Sequence, residues 1–248
     1  MQHLPGVGGN YHDHLAVGVL MEMSNSESYG ISWRAAPRGV LNLIEYALFR
    51  SGPLASNVFE ATAFIRTQPG LARPDLQVVF QAARRNPNMF PFPLGHGFAI
   101  SLVGLYPQSR GRVGLASSDP QAAPLVDPQL LSQPEDMETL LRGLKLGRQV
   151  TRAPSFSRYR AVEVQPGSGV QDDAGLIDYI RRAAATVHHP CGTCRLGEVV
   201  DTSLRVKGTE ALRVVDASVI PTVIAGNSNI PVTAVAERAA DLIRGAST

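Results

Sequence analysis

The runs VFEATAFI (58–65), LQVVFQ (76–81) and FAISLVGLY (98–106) decide what kind of fold this sequence can form. Each run is short, apolar and rich in β-branched or aromatic residues, and Pro and Gly interrupt the chain between them. This composition is typical of strands, because branched and aromatic side chains pack well on a pleated sheet. We therefore predict a sheet in this part of the chain.

Outward from these runs, other segments have the apolar spacing of helices. The first extends from Pro37 to Arg50, and the second follows Ser132-Gln133-Pro134-Glu135, which has the spacing of a capping box. Asp172 is suited to cap a third helix, and the last is predicted from Val232 to Arg244. Strands and helices do not alternate regularly, so we predict an α+β fold, with a mixed or antiparallel sheet and flanking helices.

The composition excludes several classes of protein. Of the 248 residues, 44% are hydrophobic and 18% are charged, which are ordinary values for a folded domain. The net charge is +2 and no cluster of Lys and Arg stands out, so we expect no nucleic-acid partner. No apolar run is long enough for a membrane span, and the N-terminus lacks the features of a secretion signal. We therefore expect a cytoplasmic protein whose partner is a small molecule.

The stretch Gly6-Val7-Gly8-Gly9-Asn10-Tyr11 is the first candidate for a nucleotide-binding loop. A dinucleotide-binding loop needs three glycines at fixed spacing between a strand and a helix. Here Tyr11 stands at the third glycine position, and no strand is predicted before it. The stretch Gly167-Ser168-Gly169 has the same defect at Asp172. The sequence therefore predicts no pyrophosphate-binding loop within this chain.

The stretch HHPCGTCRLG (188–197) places two histidines and two cysteines close together. Cys191 and Cys194 have a spacing that suits zinc, but a structural zinc site usually has a second, distant ligand pair, and no other cysteine exists. A thioredoxin-like redox pair would need these cysteines at the start of a helix, which Gly192 disfavours. Both the zinc site and the redox pair are therefore disfavoured. For the histidines, a single histidine in a loop is more often structural than catalytic.

The wider pattern changes the interpretation of this stretch. Residues 189–197 read HPCGTCRLG, which resembles the late signature of the glucose-methanol-choline (GMC) oxidoreductase family, His-Pro-x-Gly-Thr-Cys-Arg-Met-Gly, with Leu196 in place of Met. The stretch LPGVGGNYHDH (4–14) is similar to the family's LPGVGxNLQDH, with Tyr11 and His12 in place of Leu and Gln. Further matches lie at 52–66, 74–77, 107–120, 125–136, 200–206, 212–218 and 226–229.

The resemblance implies FAD-dependent oxidation of an alcohol by hydride transfer to the flavin. His189 occupies the family's base position, and histidine titrates near neutral pH. Asn227, six residues after Pro221, occupies the position of a second catalytic group that steadies the alkoxide. No metal site is implied. The cofactor-binding positions that the resemblance implies are Asn10, His14, Asp216, Ala217, Asn229 and Pro231.

By this resemblance the chain corresponds to the C-terminal half of such an enzyme. Residues 1–16 would be a remnant of the FAD-binding α/β domain, 17–186 a substrate-binding domain, and 187–248 the catalytic loop and flavin-facing helix. The family's C-terminal region would cover about 107–243. The N-terminal Rossmann part would be absent, and the half that carries it would be a partner. Two alternatives stay open, an inactive truncated remnant without cofactor and a Cys/His metal or redox protein.

Overall fold

The computed structural model describes residues 3–84 and 94–245, which contain eight β-strands and four α-helices joined by loops and turns. The strands are β1 (Leu15–Met23), β2 (Phe59–Ile65), β3 (Leu76–Gln81), β4 (His96–Gly104), β5 (Arg112–Gly114), β6 (Leu125–Asp127), β7 (Val162–Gln165) and β8 (Ala185–Thr186). The helices are α1 (Ala36–Phe49), α2 (Pro134–Thr151), α3 (Asp173–Ala183) and α4 (Asn229–Arg244). This mixture confirms the predicted α+β class.

The chain divides into two units that are each built from separate stretches of sequence. We call the first the sheet unit; it contains 16–103 and 138–184. We call the second the histidine unit; its described residues are 3–15, 104–137 and 185–245. The residues that the sequence singles out for chemistry, from Asn10 to Pro231, all belong to the histidine unit.

The sheet has the strand order β2-β3-β4-β1-β7. Strand β1 runs antiparallel to both β4 and β7, with Val19 opposite Ile100, and β2 runs antiparallel to β3. The predicted sheet is therefore confirmed, although β1 was not among the predicted strands. Its sequence, LAVGVLMEM, is nearly continuous in apolar residues because both faces of a central strand are covered. Such a run lacks the alternation by which a half-exposed strand is recognised.

Helix α2 packs closely on the core of the sheet unit because it carries two glycines on one face. A Cβ atom at Gly143 would lie 2.9 Å from Leu76, and one at Gly147 would lie 3.0 Å from Leu102. These distances are shorter than ordinary contacts, so the absence of side chains lets the helix approach the sheet. Leu140 and Leu144 of the same helix are at most 1% exposed.

Helix α1 confirms the predicted helix at this position but does not bury its apolar residues. No residue of α1 is buried, and Leu41, Leu48 and Phe49 are 65%, 69% and 73% exposed. Strand β2 is also exposed over most of its length. The spacing of apolar residues therefore predicted the helix correctly. The apolar face that this spacing creates is exposed in the described residues.

The histidine unit has little regular structure around its own small core. The core residues are Val199, Val200, Leu204, Val206, Val219 and Ala239. Strands β5 and β6 form a separate antiparallel pair. Helix α4 begins at Asn229 rather than at the predicted Val232, because Pro231 fits within a first helical turn. In the described residues, no helix is long and apolar enough to cross a membrane.

Candidate functional site

A short pairing of distant segments brings His14 and His189 together. The amide of Val187 donates to the carbonyl of His14 at 3.1 Å, and His12 and Cys191 exchange two backbone hydrogen bonds of 3.0 and 3.2 Å. These bonds hold the segment 11–14 beside the segment 187–191, although about 175 residues separate them. Two residues that the sequence named for different roles, base and cofactor contact, are thus direct neighbours.

The ring of His189 is half-buried and is oriented by His14. The two Nδ1 atoms lie 3.0 Å apart, and the rings meet edge to face at an interplanar angle of 83°. The backbone amide of His189 donates to Oδ1 of Asp13 at 2.9 Å, which fixes the chain that carries the ring. Among the described residues, no hydrogen bond involves Nε2 of His189. This nitrogen is therefore available for a ligand.

Burial controls the protonation of this site. Desolvation, together with the neighbouring His189, lowers the pKa of His14 to about 4. Desolvation also lowers the pKa of His189, while the negative charge of Asp13 opposes that shift. The pKa of Asp13 is raised by its own burial. Both histidines are therefore neutral at pH 7, which leaves a basic nitrogen on each ring.

His12 is a positioning residue that the sequence did not identify. Its ring is 1% exposed, its Nδ1 lies 2.6 Å from the carbonyl oxygen of Asn10, and its Nε2 accepts from the amide of Val223 at 2.7 Å. His12 thereby holds the loop that precedes Asn227. The feature of the sequence that could have identified His12 is its departure from the family's pattern, which has Gln at this position. The side-chain oxygen of a glutamine can also accept a hydrogen bond from the backbone amide of Val223.

Asn10 uses its side-chain amide to connect three loops. Its Nδ2 donates to the carbonyl oxygens of Pro221 and Gly192, at 3.1 and 3.3 Å. Its Oδ1 accepts from Nε of Arg110 at 3.1 Å. A Cβ atom at Gly192 would overlap the carbonyl of Asn10, so this glycine permits the close approach. The contacts of Asn10 in the chain are therefore contacts to protein, and they shape the loops around His189.

Asn227 lies on the surface at the approach to helix α4. Its side chain is exposed, and among the described residues no hydrogen bond joins it to His189. Asn229 is the first residue of α4, and Pro231 follows in its first turn. The N-cap residue Ser228 makes no side-chain capping bond, so the first amides of the helix are not satisfied by a capping side chain.

Asp216 and Ala217 form a separate turn. Oδ1 of Asp216 accepts from the amide of Ser218 at 2.8 Å, and Ala217 begins a short 3-10 helix. The Asp216 side chain is exposed. The hydrogen bond to Ser218 fixes the position of this exposed carboxylate.

The two cysteines differ in exposure, since Cys191 is buried and Cys194 is half-buried. Both are free, and burial raises the pKa of the Cys191 thiol to about 12, so it is not a thiolate at neutral pH. The Sγ atom of Cys191 lies 3.5 Å from Nε2 of His12. No group of three or more His, Cys, Asp or Glu residues within 3–84 and 94–245 is arranged to hold a metal ion.

Comparison with known proteins identifies the family of this chain. The sequence pattern described as GMC oxidoreductase matches residues 107–236, and the chain therefore belongs to the GMC oxidoreductase family. The chain is 39% identical to an alcohol dehydrogenase (acceptor) of Pseudomonas putida, over 97% of this chain and 44% of that protein. It is 37% identical to an oxygen-dependent choline dehydrogenase of Chromohalobacter salexigens, over 99% of this chain and 44% of that protein.

The fold is also found in solved structures. The pyridoxine 4-oxidase of Mesorbium loti superimposes with a TM-score of 0.80 at 27% identity, over 100% of this chain and 45% of that one. The chain thus spans less than half the length of the relatives it matches. The family is established by these comparisons, and the individual site residues depend on the geometry given above.

Proposed function

We propose that this chain supplies the substrate side of an active site that oxidises the CH–OH group of a small alcohol, with FAD as cofactor. The observation that carries the proposal is the state of His189. Its ring is neutral at pH 7, is oriented at Nδ1 by His14, and has Nε2 available to a ligand. A neutral imidazole held in this way is suited to accept a hydroxyl proton.

The chemistry that the chain performs is proton removal. Nε2 of His189 takes the hydroxyl proton as the C–H bond of the alcohol breaks, and the substrate leaves as an aldehyde or ketone. FAD, when bound, supplies the acceptor for the hydride that leaves the carbon. General-base assistance of this kind is typically worth about 10²- to 10⁴-fold in rate. In this proposal Asn227 donates a hydrogen bond to the substrate oxygen while negative charge develops on it.

The residues at the start of α4 fit the ring end of a flavin. The first amides of the helix lack a capping side chain, and Ile230 is 81% exposed beside them. Such a terminus attracts the negative charge that gathers on a reduced flavin ring. In this proposal Asn229 and Pro231 contact the ring system, and Asp216 and Ala217 contact the ribityl and phosphate side. His14 and Asn10 shape the wall of the site.

The phosphate end of FAD finds no equivalent loop in the described residues. Residues 6–8 lie in turns, and the next regular element along the chain is strand β1 rather than a helix. A Cβ atom at Gly8 would overlap the carbonyl of Val113, so Gly8 serves the packing of this loop rather than a phosphate. We therefore expect weak FAD binding by these residues alone, and a Rossmann half as the partner that completes the site.

A chimera tests the proposal directly. Residues 3–245 replace the matching segment of the Pseudomonas putida alcohol dehydrogenase, and flavin reduction by a panel of primary and secondary alcohols is followed without oxygen. We expect reduction by at least one alcohol and a loss of about 10²- to 10⁴-fold in His189→Ala. The unmodified relative is the control for the assay. A chimera that binds flavin but is reduced by no alcohol would contradict the proposed activity.

The alternative function is that of an inert remnant, and one observation favours it. The described residues contain no glycine-rich loop between a strand and a helix. FAD binding by this chain therefore needs other residues to contact the pyrophosphate. Titration of the chain with FAD, followed by flavin fluorescence, separates the cases. Tight binding by the chain alone would contradict our expectation, whereas a chimera that folds without flavin would favour the remnant.

A further inference from the structure

The ring of His14 is held at both nitrogens, and this determines where its hydrogen lies. Nε2 lies 3.2 Å from the carbonyl oxygen of Leu105, and Nδ1 lies 3.0 Å from Nδ1 of His189. A carbonyl oxygen only accepts, so we assign the hydrogen of His14 to Nε2. The carbonyl of Ile224 also raises the pKa of this ring, but among the described residues no hydrogen bond joins it to Nδ1. The ring is 1% exposed, and burial lowers its pKa to about 4, so it carries one hydrogen at neutral pH. Nδ1 of His14 is therefore a lone pair.

This assignment fixes the hydrogen on His189 as well. One of the two facing Nδ1 atoms must donate, and the lone pair of His14 leaves His189 as the donor. Neutral His189 then has its own lone pair on Nε2. We propose that His14 is a positioning residue that fixes His189 in the Nδ1–H tautomer and presents Nε2 as the base. This inference rests on the proposed function of His189.

The hydrogen bond between the rings also survives the proton transfer. The proton arrives at Nε2 of His189, while Nδ1–H continues to donate to His14. A charged donor makes a stronger hydrogen bond than a neutral one, so the imidazolium is stabilised without rotation of either ring. Preorganisation of this kind lowers the cost of charge development in a reaction.

The other titratable groups near the pair leave this assignment unchanged. Asp13 accepts the backbone amide of His189, and its charge favours a positive ring. His188 opposes positive charge on His189, and His12 opposes it on His14. Among the described residues, only His14 makes a hydrogen bond to a ring nitrogen of His189. The tautomer of His189 is therefore set by His14.

Two substitutions separate this role from a purely structural one. In His14→Asn, the amide oxygen takes the place of Nδ1, so the acceptor for His189 remains while the bond to Leu105 is lost. In His14→Gln, the amide nitrogen takes the place of Nε2, so the bond to Leu105 remains while the acceptor is lost. A positioning role predicts that His14→Asn retains the Nδ1–H tautomer and the activity of His189 better than His14→Gln does. A structural role predicts the reverse order.

Histidine-labelled ¹⁵N NMR of the chain at neutral pH tests the tautomer without flavin or alcohol. We expect His189 to carry its hydrogen on Nδ1 in the unsubstituted chain and in His14→Asn. We expect His14→Gln to shift His189 toward the Nε2–H form. Hydrogen on Nε2 of His189 in the unsubstituted chain would overturn the inference, and this result does not require that either variant folds.

Kinetics in the chimera give the second readout. We expect His14→Gln to lower kcat by about 10-fold or more with little change in KM, because the base is presented in the wrong tautomer. His14→Asn should lose less. Equal losses in both variants, or the reverse order, would overturn the inference. The Nδ1–H tautomer together with no alcohol oxidation would count against the proposed function alone.

Discussion

The two units of this chain are stabilised in different ways. The sheet unit buries paired apolar side chains, such as Val19 opposite Ile100, under a helix whose glycines allow close packing. The histidine unit joins distant loops through polar side chains, above all the buried His12 and Asp13 and the half-buried Asn10. Apolar packing tolerates changes of similar shape, whereas a buried polar connection requires a particular atom at a particular place. Substitutions should therefore affect the two units differently.

The largest effect is expected from Gly8→Ala in the histidine unit. A side chain there would overlap the carbonyl of Val113 and require a strained positive φ of 80°. It would also disturb the bond from the amide of Gly8 to the carbonyl of Thr193. We expect a loss of about 4 kcal/mol or more in the free energy of unfolding, measured by urea titration. A loss under about 1 kcal/mol would contradict the close packing of this loop.

Leu144→Ala measures the apolar core of the sheet unit. Leu144 is fully buried, so its truncation should lower the free energy of unfolding by about 2–5 kcal/mol. The matched control is Leu48→Ala, since Leu48 is 69% exposed and its truncation should cost less than about 0.5 kcal/mol. Similar losses for both leucines would mean that α1 is covered in solution.

Acid should destabilise the chain through His14. Its pKa is lowered from 6.5 to about 4 in the folded chain, so between those values the unfolded chain binds a proton that the folded chain does not. The free energy of unfolding should therefore fall by on the order of 3 kcal/mol as the pH drops through this window. Urea titrations at several pH values measure it. In His14→Gln this pH-dependent part of the free energy of unfolding should disappear. An unchanged pH dependence in that variant would contradict its assignment to His14.

His12→Ala tests the connection between the N-terminal loop and the loop before Asn227. It leaves the amide of Val223 without its acceptor, at a cost of about 1–3 kcal/mol. His12→Gln should cost clearly less, because its amide oxygen can accept the same hydrogen bond. Unfolding titrations compare the two variants. Equal losses would show that the ring acts by its volume rather than by Nε2.

The smallest effect, and one of opposite sign, is expected from Gly39→Ala in α1. A Cβ atom there meets nothing within 4 Å, and alanine favours a helix over glycine by about 0.5–1 kcal/mol. A small rise in the free energy of unfolding should result. A fall would mean that another surface packs on this side of the helix.

The two units also differed in how well the sequence predicted them. Runs such as LQVVFQ predicted β3 from 76 to 81, and Asp172 was correctly identified as the cap of α3, where it accepts from Gly175. These predictions succeeded because propensity and capping act over a few neighbouring residues. Strand β1 was missed because a strand buried on both faces has no alternation to reveal it.

The sequence named candidate residues of the site but did not predict the hydrogen bonds between them. The resemblance named His14 and His189, yet only the folded chain reveals that their Nδ1 atoms are 3.0 Å apart. Contacts over such sequence separations leave no periodic pattern, since they depend on the paths of loops. His12 and Asp13 were not identified for the same reason. The roles of Asn227 and of the cofactor positions stay predictions.

The pairing of His12 with Cys191 has a consequence for the order of events during synthesis. The two residues are 179 positions apart, so the N-terminal loop leaves the ribosome long before its partner exists. At typical translation rates of about 5–20 residues per second, the delay is on the order of ten seconds or more. Throughout that interval His12 has no access to the amide of Val223, while the whole of the sheet unit is synthesised. The pair His14–His189 can therefore form only after residue 189 has been synthesised.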